Sequence, residues 1–285
     1  MNHPVAKADA IAVAPADLPR PTAKRRRPAG RLAVLFAQIV IIVVFCGLWQ
    51  WSVSKGYLND FFFGAPFEIF KVLKEWALDG SLFYHAAVTL YEASLGFCIA
   101  VIVAVPLGIA LARSPFWGKV FSPFIDIANS TPRFALAPLF VLFFGIGLLS
   151  KVILVFSVAF FVMLINTIAG ASSVDPNHIR FAQLVGVSRW QLFSKVIMPA
   201  TTNWLIAGMR LSAPYSIGAA VVGEMISSTK GLGFLVIRYA GLLETSKVLA
   251  ALLFLAIGGW GLNAFLTWLF RRLPWASAEA SSRVP

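Results

Sequence analysis

The 285-residue chain is 59% hydrophobic and only 13% charged, with a mean hydropathy of +0.81. Soluble domains average about 45 to 50% apolar and about 25% charged residues, so this balance excludes a soluble enzyme or a nucleic-acid-binding domain and indicates an all-α polytopic membrane protein. The net charge of +12 has to be read through its placement along the chain, because in membrane proteins Lys and Arg report orientation.

Residues 1–31 are rich in Ala, Pro and Arg and too poor in clustered apolar side chains to fold alone, which predicts a disordered cytoplasmic tail. Its basic cluster, Lys24, Arg25, Arg26, Arg27 and Arg31, precedes an apolar run and reads as a topology signal, with no nucleic-acid partner implied. That run ends in Trp49 and Trp51 without a small-residue cleavage pattern, so it is expected to be retained as a span and not removed as a signal peptide. Six spans of adequate length are predicted, at 32–52, 88–112, 123–147, 151–171, 201–223 and 247–270. The third is crowded in its first half by Asp126, Asn129, Ser130, Thr131, Pro132 and Arg133.

With the N-terminus inside, the cytoplasmic segments hold 15 of the 24 Lys and Arg and the external ones 7, while Arg133 and Arg210 fall within spans. The asymmetry predicts both termini in the cytoplasm. After the first span, PFEIFKVLKEWALDG places Ile69, Phe70, Leu73, Trp76 and Ala77 opposite Glu68, Lys71, Lys74 and Glu75, the pattern of an amphipathic helix anchored in membrane lipid at the surface. Cys46 and Cys98 lie within spans and behave as small hydrophobes. His3, His85 and His178 are scattered without ligand spacing, so no metal site is expected.

Ionisable and polar groups in a span are costly and face a cavity or a partner. Asn129, Ser130, Thr131 and Arg133 sit where Pro132 and Pro138 interrupt helical hydrogen bonding, which makes this patch the candidate lining of a translocation path. Asn166, Tyr215 and Glu224 are further candidates for the translocation path, and Arg210 and Glu224, which bracket the fifth span, could also pair with other helices.

The longest polar interruption is DPNHIRFAQLVGVSRWQLFSKVIMP, residues 175–199. Asp175 before Pro176 is a helix start, Gly186 a left-handed helix stop, and Ser188 with Gln191 a capping box that starts a second helix toward the next span. A membrane chain needs no such hairpin merely to reverse direction, so the segment reads as a docking surface for something in the water phase.

The same stretch resembles the EAA motif of ABC importer permeases: Ala182, Gly186, Val196, Met198 and Pro199 fall on its spacing, while Arg180 and Phe181 stand where the family has Glu and Ala. HAAVTLYEASLGFCIAVIVAVPLGIALARS, STPRFALAPLFVLFFGIGLLSK and GMRLSAPYSIGAAVVGEMISSTKGLGF are similar to the subgroup serving nitrate, sulfonate, taurine and bicarbonate, with Glu92 replacing a residue that is often basic there. The resemblance covers about 200 of the 285 residues. It implies a type I ABC importer permease fold over 32–272, with a C-terminal cytoplasmic tail at 273–285. It further implies a homodimer in the inner membrane and an external solute-binding protein that delivers a small, anionic solute such as a sulfonate or nitrate. The coupling residues it points to are Ala182, Gly186, Val187, Ser188 and Arg189, which would meet an ATP-binding subunit. No G-x-x-x-x-G-K-[ST] loop occurs: Gly118 and Lys119 are followed by Val120, and Lys230 precedes its glycines. The chain is therefore expected to be no enzyme and to hold no cofactor, with ATP and Mg bound by the partner. The rival readings are an ATP-independent carrier or channel, which lacks an inverted repeat here, and a membrane enzyme, which would need a reactive cluster at membrane depth.

Overall fold

The computed structural model describes residues 31–271. The tail expected at 1–31, save Arg31 itself, and the one expected at 273–285 lie outside the described residues, as does His3. The chain divides into two compact units at Cys46 and Gly47. Helix α1 (Arg31–Ser54) begins in the first and ends in the second, and in the first it carries an exposed surface from Leu32 to Phe45 that is apolar except for Gln38.

The second unit is helical throughout its described residues: α2 (Asp60–Phe63), α3 (Pro66–Leu78), α4 (Ser81–Arg113), α5 (Pro115–Ser130), α6 (Ala137–Phe144), α7 (Leu148–Ser172), α8 (Pro176–Leu184), α9 (Arg189–Leu192), α10 (Met198–Ser227), α11 (Leu232–Gly241) and α12 (Thr245–Arg271). Among the described residues of the whole chain, α1 included, five helical segments are long and apolar enough to cross a membrane, and a sixth crossing is made only if the bent pair formed by α5 and the segment Arg133–Phe144 counts as one. The segment expected to span at 123–147 is not one straight helix: the chain turns by 80° between Ser130 and Arg133. Pro132 is the cause, since a residue preceding proline is pushed out of the helical region. Thr131 accordingly is extended, at ψ 131°, and a short 3₁₀ turn (Arg133–Leu136) then leads into α6.

Helices α4, α7 and α10 form the centre. Along α4, Gly96, Ala100, Ala104 and Gly108 recur every four residues and are all buried, the small-residue stripe that lets membrane helices approach closely. A Cβ at Gly96 would lie 2.6 Å from the Val155 Cβ, and one at Gly108 would lie 2.7 Å from the Thr167 Cβ, so α7 occupies the space that larger residues would need. Leu154, Val155, Ala159, Met163 and Leu164 complete the α7 side of this core.

The amphipathic helix α3 forms as expected, but its buried face differs. Ile69, Val72 and Trp76 pack with Leu235, Val236, Ala250 and Ala251 of α11 and α12, whereas Phe70 and Ala77 are exposed. The Trp76 ring stacks on Tyr239 at 5.4 Å. Spacings of three and four residues select this face of the helix. The stripe read as a lipid anchor is thus partly an internal contact. Gln50 caps the helix by accepting the Phe67 amide hydrogen at 3.0 Å, one of the four donors that a helix start leaves unpaired.

Candidate functional site

Three polar regions stand out. The first is the elbow between α5 and α6. Arg133 reaches back to donate from Nη2 to the Ala128 carbonyl at 2.7 Å and to Asn129 Oδ1 at 3.4 Å, and its guanidinium lies 4.4 Å from the Phe161 ring centroid on α7. It therefore adds a second donor to the Ala128 carbonyl, which also accepts the Thr131 amide at 3.3 Å, while resting on an aromatic face, and it has no carboxylate partner among the described residues. Ser130 and Thr131 turn inward to their own helix, donating to Asp126 O and Ile127 O. Asn166, half-buried on α7, donates to Val162 O at 2.8 Å and lies against Gly208 of α10, and Tyr215 is exposed on α10. The contacts bring Asn129 and Arg133 together; they do not join Glu224 to them.

Glu224 belongs to a second region, at the start of α11. Its Oε1 accepts from the Thr89 hydroxyl and its Oε2 from the Gly233 amide, both at 2.7 Å, and it is fully buried. The Leu232 amide donates to Thr89 Oγ1 and the Gly231 amide to His85 Nδ1, both at 2.9 Å. Three unpaired amides at a helix start are thus met by side chains of α4 and α10, with a carboxylate where the helix dipole favours negative charge. Gly231 holds φ at +106°, and a Cβ there or at Gly233 would run into Glu224. Beside this node, Lys151 of α7 is ion-paired with Glu92 of α4, both buried, and its Nζ also donates to Ser228 Oγ at 3.2 Å. Glu92 Oε2 is buried without a hydrogen-bond partner, as is Arg210 Nε.

The third region is the hairpin. The Asn177 amide donates to Asp175 Oδ1 at 2.8 Å, Gly186 has φ +79°, and the Val187 amide donates to Ala182 O at 3.1 Å, the six-to-one bond of a Schellman stop. Ser188 and Gln191 form the reciprocal capping box. Downstream, a π-helical turn (Phe193–Ile197) carries α9 into α10 without a break. Pro199 accounts for that widening: it has no N–H to return to Lys195, and its ring crowds that carbonyl. Ala182 is buried and Val187 half-buried, while Gly186, Ser188 and Arg189 are exposed, next to an apolar surface of Phe181, Leu184, Val185 and Trp190.

Residues 104–274 match the family described as binding-protein-dependent transport system inner membrane component. The chain belongs to that family. As a permease of this kind it is 32% identical to the taurine transport system permease protein TauC of Escherichia coli (strain K12), over 88% of this chain and 93% of that one. It is 24% identical to the nitrate import permease protein NrtB of Leptolyngbya laminosa, over 90% and 97%. A solved amino acid ABC transporter with histidines superposes with a TM-score of 0.53 at 16% identity, covering 70% of this chain and 98% of that one, which establishes the type I ABC importer permease fold. The permease is a multi-pass membrane subunit of a transport system.

Sequence reasoning missed the buried pairing of Glu92 with Lys151 in this permease. A lone Glu in an apolar span needs a counter-ion, and Lys151 opens another span, so opposite charge at the same membrane end was the available signal.

Proposed function

We propose that the chain is the translocation subunit of an ATP-driven importer, working as a homodimer in the cytoplasmic membrane. In this reading an external solute-binding protein delivers a small solute bearing an anionic group, and both termini and the hairpin face the cytoplasm. An ATP-binding subunit that carries the ATP and Mg docks on the hairpin through Ala182, Gly186, Val187, Ser188 and Arg189.

The observation that carries this reading is the build of the hairpin. It is capped at both of its helices, it exposes four large apolar side chains, and its second helix continues unbroken from Arg189 to Ser227. Exposed apolar surface of that kind marks a docking site. A continuous helix converts displacement of the docked end into motion at the far end, where Glu224 ties α10 to α4 and α11. Between the two ends lies the elbow, and the path is assigned past Asn129, Ser130, Thr131 and Arg133 with Asn166 and Tyr215 at its side. Glu224 serves that path by fixing its outer loop.

The test is reconstitution of the permease in proteoliposomes with the ATP-binding subunit that co-purifies with it and with its solute-binding protein. Solute uptake should require ATP inside the ATPase-accessible compartment. Uptake that proceeds equally without ATP would overturn the reading in favour of a carrier or channel.

A further inference from the structure

Among the described residues three charged side chains are buried, and they lie together: Glu92 of α4, Lys151 of α7 and Glu224 of α10. With every group ionised this cluster holds two negative charges and one positive. An unmatched charge in a site without water is costly. The groups around the cluster do not supply the match. Lys230, in the loop after α10, is exposed to solvent, which screens its charge. His85 of α4 accepts the Gly231 amide at Nδ1 and so turns a lone pair, not a proton, toward the start of α11. Arg238 of α11 is exposed and lies against the Phe234 and Tyr239 rings.

The hydrogen bonds are short by one donor in the same place. Lys151 donates to Glu92 Oε1 and to Ser228 Oγ. Glu224 takes the Thr89 hydroxyl at Oε1 and the Gly233 amide at Oε2. That leaves Glu92 Oε2, which is buried with no N–H or O–H from the chain within reach and which faces the Glu224 carboxyl. Buried acceptors are normally paired. Two ionised carboxyls cannot pair with each other, because each can only accept. A single proton between them supplies the missing donor and cancels the surplus negative charge. Carboxyls that share a buried site retain a proton for this reason.

We propose that Glu92 and Glu224 form a proton-binding site, with one proton held between Glu92 Oε2 and the Glu224 carboxyl at neutral pH. The proton belongs to the pair and not to either residue. With it in place the polar contacts run without a gap from Lys151 on α7 through Glu92 on α4 to Glu224 on α10, and on through Gly233 to α11. The site needs no solute and does not depend on the transport reading.

Infrared absorption of the full-length permease in lipid at neutral pH tests this, since the carbonyl stretch of a protonated carboxyl stands apart from the bands of an ionised one. The unaltered permease should show that band. Glu92→Gln and Glu224→Gln should each remove the same intensity, because either leaves one carboxylate facing an amide N–H that stands where the proton was. Glu75→Gln, at an exposed position, should leave the band unchanged. Glu92→Gln also keeps a carbonyl for Lys151, so its membrane yield and thermal midpoint should match those of the unaltered permease, whereas Glu92→Ala should lower both. If Glu224→Gln does not assemble, Glu92→Gln alone decides. Absence of the band, its survival in Glu92→Gln, or failure of Glu92→Gln to assemble would overturn the proposal.

Discussion

Glu224 and Thr89 meet side chain to side chain at 2.7 Å across 135 residues of sequence, and the same two groups accept the amide hydrogens of Gly233 and Leu232. One carboxylate and one hydroxyl thus fasten α4, α10 and the start of α11 together inside a fully buried node. Removing the carboxylate strands donors that have no water to turn to. Glu224→Ala should cost about 1 to 3 kcal/mol for each donor left unpaired, read as a lowered midpoint of thermal unfolding in detergent. Glu224→Gln, which keeps an acceptor, should retain more stability, and equal midpoints for the two variants would show that the node contributes nothing beyond packing.

The Glu92 and Lys151 pair should behave as a unit. Lys151→Met leaves a buried carboxylate without a counter-ion and is expected to cost about 3 to 5 kcal/mol, as is Glu92→Leu for the stranded ammonium. The double variant removes both charges and should recover most of the loss. Thermal midpoints of the two single variants and the double variant form the cycle that checks this. Strictly additive losses would mean that the two residues do not interact.

At the centre of the bundle, Gly108→Val should abolish assembly, because its first added carbon already falls 2.7 Å from Thr167. Gly218, with open space where a Cβ would go, is the control: Gly218→Ala should be neutral or slightly stabilising, since it reduces the freedom of the unfolded chain. Membrane yield and monodispersity on size exclusion separate the two.

In the hairpin, Gly186→Val should assemble in the membrane but uncouple transport. A β-branched residue at φ +79° is strongly disfavoured, so the Schellman stop and the angle between α8 and α9 would change while the membrane helices remain. ATP-dependent uptake should fall with permease level unchanged. Normal uptake would remove the hairpin from the coupling role. The orientation of this segment is checked separately: in intact cells an impermeant external thiol reagent should fail to label Ser188→Cys, and labelling would reverse the topology.

How far these features could be read in advance follows from the range of the interactions that build them. Asp175, Gly186, Ser188 and Gln191 act on backbone within a few residues, and all four caps were legible. The spans were legible from apolar length. Pro132 announced an interruption, but whether a helix kinks or breaks depends on what packs beside it, and the 80° turn is held by Arg133 reaching Ala128 and resting on Phe161. Glu224 was visible as an unusual residue in a span, yet its partners include a backbone amide nine residues on, which carries no sequence signature. The buried face of α3 shifted from Phe70 to Val72 for a similar reason, since periodicity gives a stripe but only the neighbouring helices choose its centre.

Arg133 remains the sharpest test of where an anionic group passes. Its guanidinium has two roles in the geometry. One is mechanical, through the bond to Ala128 O and the contact with Phe161; the other is electrostatic, as a half-buried positive charge with no carboxylate partner among the described residues. At an effective dielectric near 20, a unit charge about 4 Å away contributes on the order of 4 kcal/mol before desolvation is subtracted. Arg133→Gln keeps a polar side chain but removes the charge, so uptake of an anionic solute should fall at least about tenfold with assembly intact. Arg133→Lys keeps the charge without the planar fork and should restore part of the uptake. Should both variants fail to assemble, the elbow needs the guanidinium as a brace and the path is assigned by charge no longer. Should Gln transport as well as Arg, the solute does not pass close to this residue.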